Sequence, residues 1–396
     1  MKISTDQHEL ARGLDTVVDV VPSRSPLPVL SNILLEAKEG QLTLSATDLD
    51  ISIATRVPAS VDEPGKIAVS ARKLAEIVRE LPRTAVAIGV ADSRMTIRCH
   101  TGVPRDEAEE GSPEEGVYSL AGVGAEDFPE FPEYQSREGG ESEAAGVLVA
   151  PGGQDLKEMI GKTRFAVSSD ETRPVLGGVF WQIQGSQMKM VATDGHRLSK
   201  IVRTLPEEAE SAKAAEAIVP PKALDTLVKL ISSGCDLKGV TIGENHVIFD
   251  LDTTVLFSRV IEGPYPDFEQ VIPKNNEKKM VVAKDVLLPA VRRVSILSNS
   301  QTHQIRMIWD NDMLELSAVS QEIGGEARES IVTQYKDERF EVGYNANYLL
   351  EILRKMESGD VIFELDTPVT SGLIRPAQQP EGEDFLCLIM PLRLEG

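Results

Sequence analysis

The chain has 396 residues, 41% hydrophobic and 26% charged, which is enough for about two to four domains and too much for a single core. Its formal net charge of -22 excludes a protein that grips nucleic acid mainly by neutralising phosphates. Cys99, Cys235 and Cys387 lie far apart without C-x-x-C spacing, which favours neither a disulfide framework nor a cysteine-based zinc site and fits a reducing cytoplasm.

Taken in chain order, MKISTDQHEL carries no apolar signal-peptide core, and no later run approaches the roughly 18 apolar residues of a membrane span, so no membrane partner is expected. After Leu10, Leu14 and Val21 comes PLPVLSNILLEA from Pro26, then the alternating run Gln41–Ser45, ending in Leu44-Ser-Ala-Thr-Asp-Leu-Asp50. Val69-Ser-Ala-Arg-Lys-Leu74 opens an amphipathic helix whose stripe is Leu74, Ile77, Val78 and Leu81, at i, i+3, i+4, i+7 spacing. Arg94–Arg98 alternates as a half-buried strand. The acidic runs 105–115 and 126–143, rich in Pro, Gly and Glu, read as solvated loop and linker.

The same series then returns. Leu156, Ile160 and Val167, TRPVLGGVFWQI from Thr172, and Met190-Val-Ala-Thr-Asp-Gly-His196 each stand 146 residues after their first-copy counterparts. Val219-Pro-Pro-Lys-Ala-Leu224 opens the matching helix, with stripe Leu224, Leu227, Val228 and Ile231, and His246–Asp250 reads as a strand. A third, weaker copy has Met313-Leu-Glu-Leu-Ser-Ala-Val319, then Tyr344-Asn-Ala-Asn-Tyr-Leu349 with stripe Leu349, Ile352, Leu353 and Met356, and the strand Val361–Leu365. The closing LCLIMPLRL reads as a buried strand. Repeats of about 130 residues have the size of domains rather than of solenoid units. The chain is therefore expected to be a triplicated α+β domain, each copy two helices packed on antiparallel strands, with boundaries at 1–143, 144–273 and 274–396.

Val191-Ala-Thr-Asp-Gly-His-Arg-Leu-Ser199 gathers an acid, an imidazole, a guanidinium and two hydroxyls, the ingredients of a catalytic loop. Its recurrence argues otherwise: Thr47-Asp48 and Thr193-Asp194 read as strand ends whose side chains cap a turn. Only Gly195-His-Arg-Leu198 is peculiar to the middle copy. His8, His100, His196, His246 and His303 show no metal-ligand spacing, and neither a G-x-S-x-G elbow nor a Walker Lys-Ser/Thr occurs, so no catalytic residue, metal or cofactor is expected.

RSPLPVLSNILL, ATDLD, TRPVLGGVFW, VATDGHRLS, GPYPDFEQVIPKN, RRVSILSN, VGYNANYLLEIL and IMPLRL resemble, in order and over essentially the full length, the bacterial β sliding clamps, the processivity subunits of DNA polymerase III. The resemblance implies a non-enzymatic, cytoplasmic, nucleoid-associated homodimer, a head-to-tail ring of six such domains around double-stranded DNA. Its partners would be the replicative polymerase, the clamp loader, other polymerases and repair proteins. Topology rather than charge would hold the duplex, which resolves the acidic balance. On the helices, Arg72, Lys73, Arg79, Lys157, Lys162, Arg164, Lys222, Lys229, Arg292, Arg293, Arg354 and Lys355 would face the DNA, with Arg24 from the loop before PLPVL. Pro174 and Val175 stand where the family often has a tyrosine pair, so aromatic base stacking is unavailable there.

Partners of such clamps insert a peptide typified by Gln-Leu-Asp-Leu-Phe into a cleft between the second and third domains. The resemblance places its lining at Leu176, Thr193, Gly195, His196, Arg197, Leu198, Pro266, Val271, Asn345, Tyr348, Val369, Ser371, Leu388, Met390, Pro391, Leu392 and Arg393. Aliphatic walls and an adaptable methionine suit Leu and Phe anchors; Asn345, Ser371, His196 and Arg393 would meet the peptide's polar groups. Leu388 and Leu392 differ in size or shape from the Val and Met common there. Met390→Ala or Leu198→Asp is expected to abolish partner binding with the ring intact. The dimer seam would join a first-domain edge near Lys73, Arg94 and Arg98 to Ile296, Leu297, Glu322 and Glu326. The competing reading is a protein-binding scaffold of the same fold without a DNA role.

Overall fold

The computed structural model describes residues 1–100, 115–131, 146–205, 211–322 and 324–394. Among these occur six α-helices, two per repeat: α1 (Gln7–Val18), α2 (Ala71–Glu80), α3 (Gly153–Thr163), α4 (Pro221–Ser232), α5 (Lys284–Val294) and α6 (Ala346–Leu353). Asp6 starts α1, its carboxylate accepting from the amides of His8 and Glu9 at 2.8 and 3.3 Å. The predicted stripes are buried on α2, α4 and α6 through Leu74, Val78, Leu224, Leu227, Leu349 and Ile352. Leu81 and Met356 are buried too but lie just past their helices, because Pro82 excludes Leu81 from helical backbone and a turn follows Arg354.

The chain divides into two compact units, residues 1–153 with 222–260, and residues 154–221 with 261–396. Unit 1 is built on one antiparallel sheet of thirteen strands. Unit 2 holds antiparallel sheets of eight and four strands. A common frame recurs in both. In unit 1 the strand Gln41–Thr47 turns into Ile51–Pro58, which pairs with Thr254–Arg259, setting Ser52 opposite Phe257. In unit 2 the strand Gln187–Thr193 turns into Arg197–Thr204, which pairs with Glu383–Ile389, setting Leu198 opposite Leu388. Period-two alternation on the inner face buries Ile51, Ile53 and Val57 in the first frame and Ile201, Phe385 and Ile389 in the second.

Two expectations need amendment. The acidic run 105–115 ends as strand, since Glu115–Val123 pairs with Arg94–His100; the rest of that run, and 132–143 of the other, lie outside the described residues. The C-terminal strand stops at Ile389, and Met390–Arg393 runs on as an irregular tail bridged to Gly343 at Leu392.

Candidate functional site

The opening motif is turn chemistry in both copies. The Thr193 hydroxyl donates to the Arg197 carbonyl at 2.6 Å and accepts from the Gly195 amide at 3.1 Å. The Asp194 carboxylate accepts from the amides of His196 and Arg197 at 2.9 and 3.0 Å. Thr47 and Asp48 make the same set, to Ile51 and Leu49 and to the amides of Asp50 and Ile51. Both turns need a left-handed residue: φ is +91° at Gly195 and +83° at Leu49, where a side chain makes the conformation strained. The aspartate and threonine oxygens are thus committed to the backbone and to Arg197, and neither is left to act as a nucleophile or general base.

Arg197 fixes the turn from behind. Its buried guanidinium pairs with Asp194 at 3.0 Å and with Glu351 of α6, and donates to the Phe165 carbonyl at 2.9 Å. It lies over the rings of Tyr348, 4.5 Å from the centroid, and Phe165, at 5.3 Å. His196 stands on the outer side, its ring nearly parallel to Tyr348 at 6.4 Å. Asn345 caps α6: its side-chain oxygen accepts from the amides of Asn347 and Tyr348 at 2.9 and 3.2 Å, and its amide donates to the Thr302 carbonyl at 3.1 Å. The expected peptide-bonding role of Asn345 therefore narrows to its one remaining N–H.

Beside this turn lies an apolar floor of Phe180, Val191, Leu198, Ile218, Phe268, Leu373, Leu386 and Leu388, with Val175, Ile261, Tyr265 and Ile272 packed against it. Phe180 and Tyr265 stack at 5.0 Å, and burial pushes the Tyr265 phenol well above its ordinary value. Leu198 is 2% exposed, so Leu198→Asp would bury a carboxylate in this core; the expectation that it spares the fold is corrected. Leu176 is buried in the turn Pro174–Gly177. The segments leaving the floor carry the exposed apolar groups Val271 (57%), Val369 (77%) and Met390 (46%). The tail is held at both ends, the Met390 amide donating to the His196 carbonyl at 2.9 Å and the Leu392 amide to the Gly343 carbonyl at 2.8 Å. Pro266 and Arg393 are exposed, Ser371, Pro391 and Leu392 half-buried; the Ser371 carbonyl accepts from Asn276 at 3.0 Å.

The bases expected to face DNA fall into groups. Arg24 and Arg72 are exposed, and Lys157 and Arg164 are partly so. Lys73 pairs with Glu76, Arg79 with Asp15, Lys222 with Asp48 and Lys229 with Asp19. Lys162 is a correction: it is 4% exposed, its ammonium 2.7 Å from buried Glu383 and 3.0 Å from Glu357, so it faces protein and not a duplex. Arg203 shares Glu383 and reaches Asp155 and Glu158. The seam residues need a similar amendment. Arg94 and Arg98 sit on Arg94–His100, which is paired on both sides by Ala85–Ala91 and Glu115–Val123 and is not an edge. Glu115–Val123 is unpaired on one side over most of its length, joined to its neighbour there only at Gly122 and Val123, and it exposes Val117 and Tyr118. Gly325–Val332, which carries Glu326, is an edge of its sheet; Ile296 is 73% exposed, Leu297 half-buried, and Glu322 accepts from Ser300. The β-favouring residues Val117, Tyr118 and Val123 of GVYSLAGV could have shown the strand Glu115–Val123; the supports of Arg197, Glu351 and Phe165, left no local signal.

Family models of the DNA polymerase III beta subunit match the chain in succession: the N-terminal domain over residues 1–132, the central domain over 152–267 and the C-terminal domain over 269–393. The chain belongs to the β sliding clamp family. It is 31% identical to the beta sliding clamp of Salmonella typhimurium over 396 residues, covering 100% of both chains. The DNA polymerase III subunit beta of Pseudomonas aeruginosa superposes with a TM-score of 0.87 at 28% identity, over 99% of this chain and 100% of that one. A sliding clamp of the same organism bound to griselimycin gives 0.86 at 29% identity, with both chains fully covered. Membership of this family makes the chain a non-catalytic clamp subunit of three repeated domains. Among the described residues no helix is long and apolar enough to cross a membrane.

Proposed function

We propose that two copies of this chain close head to tail around duplex DNA and tether polymerases, the clamp loader and repair proteins through the apolar site of unit 2. What carries the peptide assignment is the exposure of Val271, Val369 and Met390 beside a packed apolar floor, since large exposed side chains gain most from a partner's Leu and Phe anchors. Domain limits at 1–143, 144–273 and 274–396 place that site's segments in the second and third domains. For the seam, the unpaired side of Glu115–Val123 of one copy fits the edge Gly325–Val332 of another, apolar Val117 and Tyr118 meeting Val332 and Ile296. Replication by such a ring is a cytoplasmic, nucleoid-associated activity.

The test is ring closure. Sedimentation should give twice the 43.1 kDa chain mass, and protein loaded on nicked circular DNA should survive a high-salt wash and leave when the circle is cut. A monomer, or release from circles as fast as from linear DNA, would favour the scaffold without a DNA role.

A further inference from the structure

Unit 1 contains a charge arrangement that the clamp function alone does not demand. Asp15 on helix α1 and Asp19 just past its end reach bases on two other helices, while Glu9 on the same helix pairs with Arg12. Asp15 accepts from Nε of Arg79 on α2 at 3.0 Å and from its Nη2; Asp19 lies 2.9 Å from Nζ of Lys229 on α4. Asp48, in the turn described above, takes Lys222, also on α4. Arg72 on α2 and Arg24 in the loop before PLPVL are exposed, and among the described residues no carboxylate pairs with either. Thus these bases are not equivalent: Arg79, Lys222 and Lys229, like Lys73 with Glu76, have a carboxylate within contact, whereas Arg24 and Arg72 have none among the described residues.

The members of the Arg79–Asp15 and Lys229–Asp19 pairs are each about half exposed or more, so each pair contributes little to stability. Their effect is on the field that a phosphate would meet. A base beside a carboxylate presents almost no net charge beyond the Debye length of about 8 Å at physiological salt, and it releases few counterions when a phosphate arrives. We propose that Asp15 and Asp19 are positioning residues for sliding: they hold Arg79 and Lys229 in neutral pairs, so that in unit 1 the duplex is met mainly by Arg24 and Arg72 and is never held tightly. This rests on the reading that the helices face DNA.

The test is binding of the purified protein to a short linear duplex with free ends, by anisotropy across a salt series. Asp15→Asn with Asp19→Asn should bind more tightly at low salt and steepen the log–log salt slope by about 1.8, two charges at about 0.9 each. Lys229→Gln, which removes an already neutralised base, should leave the slope of the wild type unchanged, whereas Arg72→Gln should lower it by about 0.9. An unchanged slope in the double Asn variant, with Arg72→Gln still effective, overturns the proposal alone. No response to Arg72→Gln either would overturn the DNA-facing reading beneath it. A purely structural role for the pairs predicts a lower melting temperature for the Asn variant with no change of slope, and that result also overturns the proposal.

Discussion

The backbone amide of Met390 donates to the carbonyl of His196 at 2.9 Å, fastening the exit of the C-terminal strand to the turn that begins its neighbour. Unit 1 repeats this bond from Arg259 to Asp50 at 2.8 Å, yet sets a charged residue where unit 2 sets an exposed methionine. The loop carrying Val369 and Ser371, between strands ending at Leu365 and starting at Gly372, has as its unit 1 counterpart only Glu244 and Asn245. The same frame thus offers an apolar rim in one unit and a polar one in the other.

Met390→Arg therefore gives the frame of the proposed peptide site the charged rim of its unit 1 counterpart. Loss of an apolar contact of this size is worth about 1.5–3 kcal/mol, so peptide affinity should fall by roughly 10- to 100-fold in calorimetry. Thermal unfolding should hardly move, because Met390 is half-exposed in the free protein.

Arg197→Ala acts differently. It leaves Asp194, 14% exposed, without its guanidinium and removes the platform under Tyr348. Destabilisation of about 3 kcal/mol is expected from breaking a buried pair, together with weakened peptide binding. Full stability with intact binding would show that the turn holds without Arg197.

Lys162→Met should lower stability by about 2–4 kcal/mol, because Glu383 is 1% exposed and loses one of its two cationic partners. It should not alter the salt dependence of DNA binding. A reduced salt slope in a normally stable variant would return Lys162 to the DNA-facing set.

Cys387 is fully buried, and burial pushes its thiol up to about 12. A raised thiol pKa means that the reactive thiolate is scarce until pH approaches that value, so at pH 8 Cys387 should not react in the native state. Cys99 is buried as well, leaving partly exposed Cys235 as the single site of alkylation in mass spectrometry until denaturant is added.

Val117→Lys places a charge on the strand Glu115–Val123, where the side chain is 57% exposed and folding should tolerate it. The dimer should weaken by at least about tenfold in sedimentation, since a buried unpaired ammonium at a seam is costly.

The repeat was legible because helices and strands announce themselves by period, and three copies reinforce one register. The turns at Thr47-Asp48 and Thr193-Asp194 are legible in sequence because their hydrogen bonds span only a few residues. Lys162 differs from the DNA-facing place that the resemblance implies because its partner Glu383 is 221 residues away in sequence. Asn345 is less available to a peptide than the resemblance implies, because its oxygen is consumed by the helix that it starts. Leu198 was legible as a wall residue, but its burial depends on Leu388, Phe180 and Phe268, which only the folded sheet brings to it.

The central claim is that unit 2 binds a partner peptide, and an anisotropy titration of labelled Gln-Leu-Asp-Leu-Phe with the wild-type protein tests it most directly. The account predicts saturable binding of one peptide per chain, displaced by unlabelled peptide. A folded, dimeric protein that shows no saturable binding, or that binds two peptides per chain, would contradict it.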